Sequence, residues 1–334
     1  MSVLDQYSDY LLESYTNDPQ GRYVSLLLVR RIESEAIFRT EGSGAAQNKE
    51  FVHAGLEDHS SEKGSEGSAA TEAARSLIRR VVISKRKQTA TERRTGRELL
   101  RRHDLLYEGE SDEAPCALNT NNPCGRCVDC MLYGYAAGGG GAQKSRVITD
   151  DAFSLHPAVQ VIDTRTFNAP FEDGTPWDRE NERRMTGLGE DEYVKPEAVF
   201  VEIETLKDVT PDELRYALGN VLRTTRYGAI SSRIGKVKNL LVGVAFSDCE
   251  LFSNLELTQA VYDRLKGEED ELDFPLPSEK VVQEAREAAG ELSARVVGNV
   301  TWLSADESEA LVDEMIDLYS DGDQIAAMLK RIEY

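Results

Sequence analysis

The sequence predicts an α+β fold, a ferredoxin-like or RNA-recognition-motif-type core whose sheet carries helices on one face and is interrupted by large insertions. Three observations predict it. Aliphatic and β-branched runs recur at 21–32, 158–166, 198–205 and 239–246, each the length of a buried strand. Thr210-Pro-Asp-Glu opens a helix between the last two, with a hydroxyl cap, proline at the first helical position and acids in the first turn. Polar stretches far longer than an ordinary connection separate the others.

Taken in order, a helix-like stretch runs from Val3 to Tyr15 and precedes the first strand, which ends at Ile32. Residues 41–72, rich in Gly, Ser, Ala and Glu, cannot build a core and read as an insertion loop. A basic arm (75–102) and a cysteine-rich loop (105–135) complete an insertion spanning 41–145. Gly138–Gly141 reads as a hinge, after which Lys144-Ser-Arg146-Val returns the chain to a core made of 20–40 and 146–265. About thirty residues with Phe171 and Trp177 near their middle link the strands at 158–166 and 198–205, and a connection that long is more often functional than structural. Leu214, Ala217, Leu218, Val221 and Leu222 give the capped helix its apolar face, and another helix is expected over Leu255–Leu265. Residues 266–334 read as a helical C-terminal part from Ser278, with a strand-like stretch from Ala294 to Trp302.

Cys116, Cys124, Cys127 and Cys130 fall within fifteen residues. Two-residue gaps let a tight turn aim thiolates at one metal ion, and Gly125 sits where the backbone needs φ > 0. Disulfides are disfavoured in a chain whose N-terminus shows no secretory signal. An iron–sulfur cluster tolerates the spacing, but its fourth cysteine usually follows the run rather than preceding it. Structural zinc is the favoured reading; four thiolates leave no open position for substrate. Cys249, at the end of an apolar strand, reads as an ordinary buried thiol, and the metal loop as a self-contained insertion whose loss leaves the rest folded.

Net charge is −21, with 27 Arg against 12 Lys. Acidity of that size repels a phosphate backbone, yet spread over a surface it also describes a protein of a high-salt cytoplasm, a halophilic pattern. The chain departs from its acidity twice. Residues 75–102 hold eleven Lys or Arg against two Glu. Charge so one-sided favours phosphate contact over a solvated helix face, with Arg79, Arg80, Lys85, Arg86 and Lys87 as candidates; a disordered or partner-facing arm stays open. From Gly219 to Lys238 there are five basic residues, three glycines and no acid. The Walker and dinucleotide glycine patterns are both absent, so Arg223, Arg226, Arg233, Lys236 and Lys238 read as a polynucleotide-backbone site, with a mobile basic loop as the bland alternative.

The cysteine loop, Lys144-Ser-Arg146-Val, the long connection, and Thr225-Arg-Tyr-Gly-Ala followed by Arg233-Ile-Gly-Lys resemble, in this order, the backbone subunit of type I-D CRISPR effector complexes (Cascade), the Csc-two branch of the Cas seven superfamily, over residues 20–265. The resemblance implies an RNA-recognition-type core, a zinc-bound insertion and a thumb hairpin over 166–197. It implies several copies aligned along one CRISPR RNA, with Lys144, Arg146 and the loop at 226–238 on guide backbone, target DNA held nearby, and other effector subunits as partners. The acidic composition and the 41–72 insertion depart from the family pattern.

An unlike function, a metal-dependent nuclease acting on the bound target strand, draws on Asp104, Asp150 and Asp151. Adjacent aspartates at a strand entry are more often a solvated turn, and none of the four histidines pairs for catalysis, so a non-catalytic scaffold is favoured. No run approaches the ~20 apolar residues of a membrane helix, and a reducing cytoplasmic compartment is expected.

Overall fold

The computed structural model describes residues 2–38, 51–57, 76–109, 115–118, 120, 122–138, 141–168, 174–180, 182–184, 188–228, 235–267, 269 and 271–334. A 3-10 helix (Val3–Tyr10), shorter than the sequence suggests, is closed by reciprocal Ser2 and Asp5 caps. Strand β1 (Tyr23–Ile32) follows, then β2 (Phe51–Glu57), β3 (Ser76–Ile83), helix α1 (Lys85–Arg102) and the short α2 (Val128–Tyr133). A small hairpin pairs β4 (Tyr135–Ala137) with β5 (Gly141–Gln143) on either side of the glycine run expected to be a hinge, of which residues 139 and 140 lie outside the described residues. Next come β6 (Val147–Thr149), β7 (Ala152–Pro157), a single turn α3 (Ala158–Val161) and β8 (Ile162–Asn168). The strand expected over 158–166 is thus broken: the chain turns at Pro157 before extending again.

Two short strands, β9 (Trp177–Asp178) and β10 (Arg183–Arg184), pair with each other. After β11 (Leu188–Val194) come β12 (Val199–Lys207) and α4 (Pro211–Arg223), whose Thr210–Glu213 capping box matches the sequence signal. The chain finishes through β13 (Arg226–Tyr227), β14 (Gly235–Ser247), α5 (Asn254–Lys266), α6 (Ser278–Ser293), β15 (Val300–Trp302), α7 (Ala305–Ser320) and α8 (Gly322–Arg331).

The principal sheet runs β13-β14-β1-β12-β7-β3-β2, with β6 beside β12 and β15 beside β14, and its pairings are antiparallel. β1 lies inside it, between β14 and β12. Successive side chains point to opposite faces, so Val24, Leu26 and Leu28 join one core with α1, α4, α7 and α8, while Leu27 and Val29 join a second with α5 and α6. Burial on both faces is why β1 reads as a continuous apolar run rather than an alternating one. The expectation of helices on one face is therefore corrected. α5 and α6 cover the face that an RNA-recognition sheet leaves open for bases, which removes it as a stacking platform.

Two further boundaries move. Residues 76–102 are no insertion arm, since β3 pairs with β7 inside the sheet and α1 packs against α4. Nor do residues 266–334 stand apart: β15 extends the sheet beside β14, and Leu311, Met315, Ile325, Met328 and Leu329 fill the first core.

A charged layer lies under α1. Arg30, fully buried on β1, donates from Nε to Glu202 (2.6 Å), from Nη2 to Glu92 (3.0 Å), and from Nη1 to the Tyr227 hydroxyl (2.6 Å) and Asn239 Oδ1 (2.7 Å). Glu204, two residues along β12 on the same face, is fully buried as well. Burial, then the Glu92 carboxylate, pushes its carboxyl well above the ordinary range, and Arg30 only partly offsets this. A group raised in the folded state adds stability that is complete below its unfolded pKa and lost as pH rises through the folded one. Glu204→Gln, which keeps the shape and cannot ionise, should therefore flatten the fall in stability as pH rises above the ordinary glutamate range in urea melts. A variant whose stability falls with pH as steeply as the wild type places that dependence elsewhere.

Candidate metal centre and nucleic-acid interface

The cysteine loop folds as the spacing demands. Cys127 caps α2 by accepting the Cys130 N–H on its sulfur (3.5 Å), and its own N–H donates to Cys124 Sγ (3.3 Å). The turn between them places Gly125 at φ 65°, where an added Cβ would stand 2.7 Å from the Tyr135 hydroxyl. Cys116 arrives from the other side, tied by its N–H to the Tyr107 carbonyl (2.9 Å). All four sulfurs lie within 4.8 Å of one another, with Cys116–Cys130 at 3.6 Å and Cys124–Cys130 at 3.9 Å. Zinc–sulfur bonds of ~2.3 Å in a tetrahedron put sulfurs ~3.8 Å apart, so the donor set fits one four-coordinate ion. Disulfide sulfurs stand ~2.05 Å apart, and all five cysteines are free thiols.

This centre is not a detached loop. Cys116, Cys127, Val128, Cys130, Leu132 and Tyr133 belong to the first core. Cys249 lies apart, half-buried rather than buried, next to Asp248, and burial raises its thiol pKa.

Two of the arginines expected to bind nucleic acid are corrected. Arg146 is buried, its guanidinium donating to both Glu213 oxygens and to the Asp208 (2.8 Å) and Met131 (3.3 Å) carbonyls beneath the Tyr15 ring. Arg80 is fully buried, donating to the carbonyls of Ala54 (2.9 Å), Ser154 (2.7 Å) and Leu155 under the Tyr262 ring. A backbone carbonyl that ends a strand or turns a loop inside the core needs a donor, and a long guanidinium reaches several at once. Strand alternation holds the signal for Arg80: Leu77 and Arg79 face out while Ile78 and Arg80 face in.

The other candidates sit nearer solvent. Lys144 is exposed after β5, and Arg79 is exposed beside a groove lined by Leu77, Pro157, Val159 and Ile162. Lys85 and Arg86 are exposed and Lys87 half-buried in the first turn of α1, where the positive end of the helix dipole disfavours cations and attracts anions. Arg223 lies half-buried over the Tyr319 ring at 5.2 Å. Arg226 is exposed and pairs in register with Lys236, which is 50% exposed and bonded to Glu33 at 3.0 Å, and Lys238 is exposed two residues on. Arg233 lies outside the described residues, as does the 41–50 and 58–72 part of the expected insertion loop.

The fold brings the two basic stretches together. The Thr224 and Thr95 hydroxyls meet at 2.9 Å, and the Tyr227 hydroxyl donates to Glu92 at 3.1 Å, so β13 rests on the middle of α1. Arg94, Arg101 and Arg102 are exposed along that helix and extend its charge, and their signal in the sequence is the same basic run at 75–102. From that contact to Lys85 is ten residues, or roughly 15 Å of helix, which separates β13 from the first turn of α1.

The long connection is a hairpin, β8 pairing with β11 from Ile162↔Val194 to Asn168↔Leu188, with its base held by an Ala36–Val194 bridge. It begins four residues before the expected 166 and ends at 194 rather than 197; Trp177 is 48% exposed near its middle, and Phe171 lies outside the described residues. Asp151 accepts the Lys85 N–H (2.9 Å), capping α1. Among the described residues the four cysteines are the group with metal-ligand spacing, and Asp104, Asp150 and Asp151 do not form one. Among those residues no helix is long and apolar enough to cross a membrane.

A sequence profile described as Csc2 Crispr matches residues 10–329. No curated protein matches significantly. The crystal structure of Thermofilum pendens Csc2 superposes with a TM-score of 0.59 at 20% identity, covering 99% of this chain and 98% of that one. A chain of a CRISPR RNA-guided surveillance complex covers 92% of this chain and 99% of its own at 12% identity, with a TM-score of 0.43. A chain of a Type IV-B CRISPR complex covers 66% and 90% at 11% identity, with a TM-score of 0.40.

Proposed function

This chain belongs to the Csc2 CRISPR family, and we propose that it is a non-catalytic backbone subunit of a type I-D effector complex, binding guide RNA and helping to hold target DNA. The observation that carries the reading is the exposed basic residues of α1 and, separately, Arg226, Lys236 and Lys238 on β13–β14, in a chain of net charge −21. The order β14-β1-β12-β7, with α1 and α4 on one face, supports reading the core as ferredoxin-like, with two βαβ crossovers. The four-thiolate set favours zinc and a structural role. Free thiols of this kind suit a reducing cytoplasm, and the Arg-rich acidity suits a high-salt one.

A subunit repeated along a guide meets a different sequence at each copy, so contact with sugar and phosphate is the mode that works everywhere. Arg223, Arg226, Arg233, Lys236, Lys238 and Lys144 are assigned to the guide. Arg79 on β3 and Lys85, Arg86 and Lys87 in the first turn of α1 are assigned to the target. Arg226→Ala should weaken single-stranded RNA binding about equally for unrelated sequences and reduce the salt slope by about one unit. Lys85→Ala with Arg86→Ala should spare the guide and weaken target capture, both read by titration with labelled guide and target separately. Loss of guide binding in the helix variant, with Arg226→Ala unaffected, reverses the assignment.

Further copies of the chain are the expected neighbours, with the β8–β11 hairpin as the contact. Deleting 166–197 should leave a folded chain that binds short RNA and no longer forms regular arrays on long RNA under the electron microscope. Unfolding of the deletion variant would place the hairpin in the core.

A further inference from the structure

We propose that Arg97, braced by Arg93 through Asp129, is the counter-charge of the metal centre, so that loading the metal and fixing helix α1 are one event. This rests on the reading that the four cysteines hold a divalent ion. Four thiolates around such an ion carry a net charge of −2. Cys116, Cys127 and Cys130 are buried, and buried charge must be paired.

Backbone N–H groups supply donors inside the tight turn, to Cys124 from Cys127 and to Cys127 from Cys130. Cys116 comes from outside that turn, and there the donor is a side chain. Arg97, 2% exposed, places Nη1 at 3.5 Å from Cys116 Sγ and 2.8 Å from Asp129, while Nη2 donates to the Cys116 carbonyl. Asp129, fully buried in the first turn of α2, takes both Nε and Nη2 of Arg93 at 2.9 Å each. A planar guanidinium can grip a sulfur, a carbonyl and a carboxylate together, which a lysine ammonium at the same place cannot reproduce.

Both arginines belong to α1, the helix that bears Lys85, Arg86, Arg94, Arg101 and Arg102 on its outer side. Its inner side offers Leu99 and Leu100 as large apolar anchors beside Gln88, Glu92, Gly96 and Arg97. A helix seated on so many polar groups depends on those groups finding their partners. Without the metal, four neutral thiols leave Asp129 as the one anion facing two guanidinium groups, and the seat of α1 loosens.

The test uses the full chain loaded with zinc and a chromophoric chelator that reports metal release. Arg97→Gln should lose zinc about ten- to hundredfold more readily, Arg97→Lys should fall between, and Arg94→Gln, exposed on the same helix, should match the wild type. Wild-type retention in a folded Arg97→Gln chain overturns the proposal. Should that variant not fold, Arg93→Gln carries the same test, and wild-type retention there overturns it equally. Hydrogen exchange reads the second half: removing zinc should speed exchange of amides 88–102 while β1 and β12 stay protected. Unchanged exchange in α1 with the metal gone overturns the coupling. None of these readouts involves nucleic acid, and a wild-type chain that takes up no zinc defeats the metal reading itself.

Discussion

Replacing Arg30 by Met is expected to lower the unfolding free energy by about 3–5 kcal/mol, because it strands charge in the core instead of removing it. Glu202 and Glu92 lose the guanidinium that both bind, and the Tyr227 hydroxyl and Asn239 lose a donor. Glu202 is already raised by its burial, with Arg30 the main opposing influence, so the variant must protonate it or expose it to water. Denaturant melts should show a lower midpoint at unchanged slope. Adding Glu202→Gln to the Met variant should recover part of the loss, since the stranded charge is then gone. A single variant that melts within about 1 kcal/mol of the wild type would mean the carboxylates find other partners.

Cys127→Ser should abolish stoichiometric zinc and lower stability on the order of 4 kcal/mol, the scale of losing a structural metal. The damage should not stop at the loop. Cys127 sits in the first core with Val128, Leu99 and Leu100, and Arg97 reaches the same centre from α1. Trypsin should therefore cut early after Arg101, Arg102 and Arg126, with β1 and β12 spared. Elemental analysis checks the metal, and mass spectrometry of the first fragments checks the spread. A variant cut only within 105–135, with α1 intact, would restore the view of the loop as self-contained. Iron in place of zinc in the wild type would change the identity of the ion.

Local chemistry determined a good deal of this protein from its sequence. The cysteine spacing is set by the reach of thiolates across a tight turn, so the cluster was legible without a fold. The cap at Thr210 satisfies helix N–H groups from within four residues, and the run at 23–32 is apolar whichever partners it finds. The motifs in their order also sufficed to mark the family that the profile match shows. What escaped depends on groups distant in sequence. Arg80 and Arg146 look like their basic neighbours until Ala54, Ser154 and Glu213 close around them, because a guanidinium's role is set by which acceptors reach it. The stretch at 75–102 looks like an arm in sequence because its charge is conspicuous, whereas β3 is held by strand pairing with β7 and α1 by packing on α4. Both faces of β1 are buried because α5 and α6 return to the sheet from beyond residue 250, and no local pattern encodes that return. Sequence fixes which chemistry each segment carries; only the tertiary structure decided which charges face water and which are spent inside, because burial is a property of the partners and not of the residue.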